Sequence, residues 1–213
     1  MNIKARAFNI MTRTRDACEA WERHQAKGNA YFSSLSNLVA QQVATTASGS
    51  VVRSYTSASR LDYKQSAAIS EIVALLEQLK DDLVEVMNVF MDLERDAKQL
   101  VDKALRDAKP REERVIPPLS NESLIAVAAV TPERAHKYTL AFCHNYHQEI
   151  DYKMVLLDTL PQGLNSVEDI NALAFRWERQ PHLEPEIKDD LYELIRLYKN
   201  IKQSVEANDD FVA

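Results

Sequence analysis

The chain of 213 residues has enough mass for one domain, or two small ones, with a buried core. Three glycines, seven prolines and 27% charged residues argue against a sheet protein and for a mostly helical one. The net charge of -6 is uneven: residues 1–60 hold eight Lys or Arg against three Asp or Glu, the remainder 18 against 29.

Such a basic arm suits an acidic partner or nucleic acid, or complements acidic helices of its own chain. Cys18 and Cys143 form no CxxC pair, so one disulfide is the most they allow, and nothing suggests a disulfide framework. Met1 to Ile10 shows no apolar core followed by a cleavage site, and the longest apolar run, Leu124 to Val130, is too short to cross a bilayer. A soluble intracellular protein is expected.

In chain order, residues 2–43 carry a helical pattern. Ala7, Ile10, Met11, Thr14, Cys18, Trp21 and Gln25 share one face, which Leu35, Leu38 and Val39 resume. Gly28-Asn29 interrupts it, and because Gly in a helix costs about 1 kcal/mol relative to Ala, a kink or split is expected there. Residues 44–60, rich in Ser, Thr and Ala, have the composition of a flexible linker. A long helix over 61–109 follows. Its 3-4 series runs Ile69, Ile72, Leu76, Leu79, Leu83, Val86, Phe90, Leu93, Ala97, Leu100 and Ala104, the mark of a coiled-coil seam. Leu75, Val89, Val73, Met87 and Val101 widen that face beyond what a two-stranded coil needs.

Residues 110–131 are irregular, bounded by Pro110 and containing Pro117-Pro118. The C-terminal helical segment, 132–205, opens on Thr131-Pro132-Glu133, an N-cap, a first-turn proline and a dipole-favoured carboxylate. Its first helix stops near Leu160 at Pro161-Gln162-Gly163. A shorter one, capped by Ser166 or Asn165, carries Ile170, Leu173, Phe175 and Trp177 and ends at Gln180-Pro181. Pro185 opens the last helix, with Ile187, Leu191, Leu194, Ile195 and Tyr198 facing inward. The predicted fold is a single all-α domain over 1–213: an elongated antiparallel helical bundle or coiled coil of two or three long helices with short C-terminal helices.

Chemistry is sparse. Cys143, His144 and His147 could share a helix face as metal ligands, but no second Cys/His cluster completes a zinc site. Glu133-x-x-His136 has the spacing of a di-iron unit, which needs a second copy and two further Glu. No Walker loop, GxGxxG or GxSxG is present. Glu149 and Lys153 are read as an ordinary i,i+4 surface pair. The expectation is a non-enzymatic protein with no cofactor and no metal, no membrane span, and no direct nucleic-acid binding from so few basic residues. Trp21 and Trp177 rise above this background as core anchors or binding hot spots.

The same segments carry a family resemblance. Trp21-Glu22, Gly28 and Asn37-Leu38 resemble the N-terminal segment of the CINP family of cyclin-dependent-kinase-interacting proteins. Tyr146-x-x-Glu149-x-x-x-Lys153, then Trp177-x-x-Gln180-Pro181-x-Leu183-Glu184 and Leu191, resemble its C-terminal segment. The related ribosome-maturation factor AIRIM has a similar layout, and Ser33 to Leu38 and Asn171-Ala172-Leu173 are similar to it. The Trp-x-x-Gln-Pro segment favours CINP. The resemblance implies a helical adaptor that joins a helical AIRIM-like partner and an AAA+ ATPase of the Afg-two type in large-subunit ribosome maturation. It also implies links to cyclin-dependent or replication kinases and the DNA damage checkpoint, and a nuclear location with a cytoplasmic share. A coiled-coil structural subunit of a tethering or kinetochore-like complex, or self-association, would use the same seam. The residues expected to bind partners are Trp21, Leu38, Leu76, Leu79, Leu83, Phe90, Tyr146, Glu149, Lys153, Trp177, Gln180 and Pro181. The N-terminal helix and the helix over 132–160 should both pack along the seam.

Overall fold

A computed structural model describes residues 3–46, 58–107, 129–163 and 166–209. They form five helices and no strand: α1 (Ile3–Thr46), α2 (Ala58–Asp107), α3 (Pro132–Gly163), α4 (Val167–Arg179) and α5 (Pro185–Asp209). The fold is all-α, as the scarcity of Gly and the 3-4 spacing predict. Most of the expected 44–60 linker and of the irregular 110–131 segment lies outside the described residues.

Local chemistry places the helix starts. The Thr131 hydroxyl accepts the Arg134 N–H at 3.2 Å, one of the donors that the first turn of α3 leaves without an intrahelical partner. Ser166, extended at φ -129° and ψ 125°, does the same for Asp169 N–H at the start of α4. The helix α3 runs through Pro161 to Gly163, slightly past the expected stop, since a proline near a helix end removes only one backbone donor. Of the kink or split expected at Gly28-Asn29, the split does not occur: α1 is one continuous helix across it. The glycine has another purpose, described below.

The chain divides into two compact units. The first comprises Met1–Glu19, Met87–Tyr146 and Glu184–Ala213. Its core takes Ala7, Ile10, Met11 and Cys18 from α1, Phe90, Leu93, Ala97 and Leu100 from α2, Phe142 and Tyr146 from α3, and Leu191, Leu194 and Ile195 from α5. Phe90 stacks on Tyr146 with ring centroids 4.3 Å apart, while His136 Nε2 meets Glu94 Oε1 at 3.1 Å. Those two contacts run in opposite chain directions, so α2 and α3 are antiparallel here. Arg13 pairs with Asp96 at 3.2 Å across α1 and α2. Both cysteines lie in this unit and neither forms a disulfide; burial and the Glu94 charge push the Cys143 thiol up.

The second unit comprises Ala20–Val86 and His147–Leu183. The seam residues Leu76, Leu79, Leu83 and Val86 are buried, with Leu156, Leu157 and Leu160 of α3 and Ile170, Leu173 and Trp177 of α4. Each large aliphatic side chain so removed from water contributes roughly 1.5–3 kcal/mol. Helix α1 runs antiparallel to α2, since His24 meets Asp82 at 3.2 Å and Thr45 meets Gln65 at 3.2 Å. Lys80 of α2 reaches Asp158 of α3 at 2.8 Å.

Candidate functional site

The two tryptophan segments meet in the second unit. Helix α4 turns its Ile170, Leu173 and Trp177 face inward, a 3-4 spacing that buries one stripe. Trp177 is fully buried, and its indole fills a notch at Gly28: a Cβ there would overlap the ring atoms Cε2, Cζ2 and Nε1. Gly28 is therefore a point of close approach between α1 and α4. Phe32, one turn further along α1, packs on the same ring at a centroid distance of 5.6 Å.

The helix end at Trp177 supplies the polar part of the site. Its carbonyl is among the last of α4, which lack intrahelical donors. It accepts the Gln25 side-chain amide at 2.9 Å and the Lys153 ammonium at 2.6 Å, filling both lone pairs. The Trp177 indole N–H points back to the Gln25 carbonyl at 3.4 Å. Lys153 Nζ also lies 4.2 Å from the Trp177 ring centroid and 3.2 Å from Glu149 Oε1. The other Glu149 oxygen accepts the His182 backbone N–H at 3.1 Å, tying down the turn after Pro181.

Lys153 and Glu149 are both 0% exposed, which overturns their reading as a surface pair. The i,i+4 spacing predicts that the two side chains meet, but not whether they meet in water. Burial draws the Lys153 ammonium down to about 8 from its ordinary 10.5, against the upward pull of Glu149.

Gln180 caps α4 in the left-handed region, at φ 42° and ψ 62°, a conformation that costs a non-glycine residue about 1 kcal/mol or more. Its side-chain oxygen accepts the Trp21 indole N–H at 2.8 Å, and its carbonyl accepts the Leu183 N–H at 3.2 Å. The Trp-x-x-Gln-Pro segment is thus a helix plug, a reversal held by the second tryptophan, and a proline that cannot continue the helix.

Of the residues expected to bind partners, Trp21, Leu76, Leu79, Leu83, Phe90, Tyr146, Glu149, Lys153 and Trp177 are buried within this chain. Packing uses them, because apolar periodicity marks burial without saying against what. Leu38 and Gln180 are half-buried, and Pro181 is exposed. The site unites Trp21, Glu149, Lys153, Trp177 and Gln180; Phe90 and Tyr146 belong to the core of the first unit. Sequence reasoning placed Gln25 on the inward face of α1 but not among the site residues; its signal was an amide on a mostly apolar face, one turn before Gly28. Cys143, His144 and His147 join no cluster of three ligating groups among the described residues, and His147 faces Asp151 at 3.7 Å.

This geometry defines a class: an all-α protein whose charged core groups are committed to holding helices together. The chain belongs to the C1orf109-like family of ribosome biogenesis proteins, since the family model described as "CA109-like: Ribosome biogenesis protein C1orf109-like" matches residues 9–194. That is the AIRIM family, which the sequence placed second; the preference for CINP gains no support from the comparison. Membership ties the chain to ribosome biogenesis. No curated protein and no solved structure matches it.

Proposed function

We propose that this chain is a non-enzymatic helical adaptor in maturation of the large ribosomal subunit. It would join a related helical protein to an AAA+ ATPase of the Afg-two type. The family match over residues 9–194, spanning both tryptophan segments, carries the reading. The site adds support: Lys153 and Glu149 have no exposed surface and are committed to internal partners, so neither can touch a substrate. With the chain itself on the AIRIM-like side, the complementary helical partner is of the CINP-like kind. A nuclear location with a cytoplasmic share fits a factor that acts on pre-ribosomes.

Affinity purification of the tagged full chain, followed by mass spectrometry, tests this reading. Co-recovery of an AAA+ ATPase and a helical partner in fixed ratio is expected, and depletion of the chain should lower mature large-subunit levels. Recovery of neither partner, with normal ribosome profiles after depletion, would sink it. The same purification answers whether a cyclin-dependent or replication kinase is a client.

A further inference from the structure

Helix α4 carries an aromatic residue that folding does not use. Its inward stripe is Ile170, Leu173 and Trp177, whereas Phe175 points the other way and is 59% exposed. Phe175 stands between two open clefts of the second unit, of about 480 and 550 Å³. One is lined by Asn29, Ser33, Asn37 and Asn171. Its wall is fixed by a 2.7 Å hydrogen bond from Ser36 to Asn171. Ser33, Ser36, Asn37 and Asn171 of this lining belong to the two short stretches, Ser33 to Leu38 and Asn171 to Leu173, that carry the AIRIM-like resemblance. The other cleft is lined by Tyr152, Arg176, Arg179 and Pro181.

Arg176 and Arg179 are exposed, and neither is paired with a carboxylate among the described residues. The Arg179 guanidinium sits 5.3 Å from the Phe175 ring centroid. An exposed aromatic beside two uncompensated arginines, next to a row of neutral amides and hydroxyls, has the composition of a protein hot spot.

We infer that the face formed by Phe175, Arg176 and Arg179, with the adjoining α1 amides, docks an acidic segment of a partner protein. An apolar side chain of that segment covers Phe175, its carboxylates meet the two arginines, and its backbone meets Asn29 and Asn37. Charge decides against nucleic acid. Two arginines cannot track a phosphate backbone, and among the described residues neither cleft has a further basic side chain in its lining. The inference deepens the adaptor reading and rests on it only in taking the occupant to be a protein.

The test is photo-crosslinking in cells with Phe175→p-benzoylphenylalanine in the full chain, the adduct being sequenced by mass spectrometry. The expected adduct is one protein segment in which Asp and Glu outnumber Lys and Arg around an apolar residue. Adding R176E and R179E should cut it roughly tenfold or more, with R176Q and R179Q intermediate. Circular dichroism of both double variants should match wild type, since the altered groups are exposed. An RNA adduct, an adduct on a basic or neutral segment, no adduct, or one indifferent to the arginines would overturn the proposal. Co-purification of the ATPase without an adduct at position 175 removes this docking face and leaves the adaptor reading. An acidic adduct on a protein unrelated to ribosome maturation does the reverse.

Discussion

Lys153 is where the chemistry of single residues matters most. Removing one member of a buried ion pair strands the other, at a cost of about 3–5 kcal/mol, whereas replacing both with apolar groups is often near neutral. K153M should therefore lower stability by about that amount in urea denaturation, and E149L/K153M should recover only part of it, because the Trp177 carbonyl and the His182 N–H lose their side-chain partners. The pH dependence has a definite sign. Because the folded-state value is about 8 against an ordinary 10.5, the unfolded chain holds a proton between those values that the folded chain has released. The contribution of this group to stability thus rises with pH from about 8 to 10.5, and below 8 the burial cost is present in full. The stability difference between wild type and K153M, measured at several pH values, should climb across that window; a flat difference would refute the assignment. Gly28 gives a sharper test. Gly to Ala usually favours a helix by about 1 kcal/mol. Here G28A should instead destabilise by about 1–3 kcal/mol, because the new methyl group must displace the Trp177 indole.

At the scale of elements, helix α2 shows what periodicity can and cannot say. Leu83 and Leu93 are fully buried, while Val84 on the same helix is 45% exposed. L83A and L93A should each cost about 2–5 kcal/mol, and V84A should stay within about 0.5 kcal/mol, as read from denaturant midpoints. The start of α4 depends on a different force. S166A removes the cap that accepts Asp169 N–H and should cost about 1 kcal/mol. Helix spacing picked out the buried stripe of α2 from Leu76 to Leu100, whereas Val89, expected on the widened face, is 38% exposed and Ile69, Ile72 and Ala104 are half-buried. On α4 the 3-4 spacing of Ile170, Leu173 and Trp177 marks the buried stripe, and Phe175 falls off it.

For the whole molecule, the two units divide the labour of the core. In the first, aromatic stacking of Phe90 with Phe142 and Tyr146 joins α2 to α3. In the second, a polar cluster around Trp177 joins α1, α3 and α4. The adaptor reading belongs to this scale, since it needs the folded chain to present a surface rather than a reactive group. Its expected outcome is stoichiometric recovery of an AAA+ ATPase with the tagged chain. W177A, which empties the notch at Gly28, should abolish that recovery along with the fold, whereas an exposed change such as L197S should leave both intact.

By itself the sequence determined that the chain is helical, where most helices start and which stripe of α2 is buried, because caps, prolines and 3-4 spacing act over a few residues. It also held the family signal, which spans residues 9–194. Only the tertiary structure decided what those residues do. Whether Glu149 and Lys153 face water, and whether Gly28 breaks a helix or admits an indole, depend on groups that are distant along the chain. Burial is a property of the neighbours a residue acquires, and local spacing does not specify them.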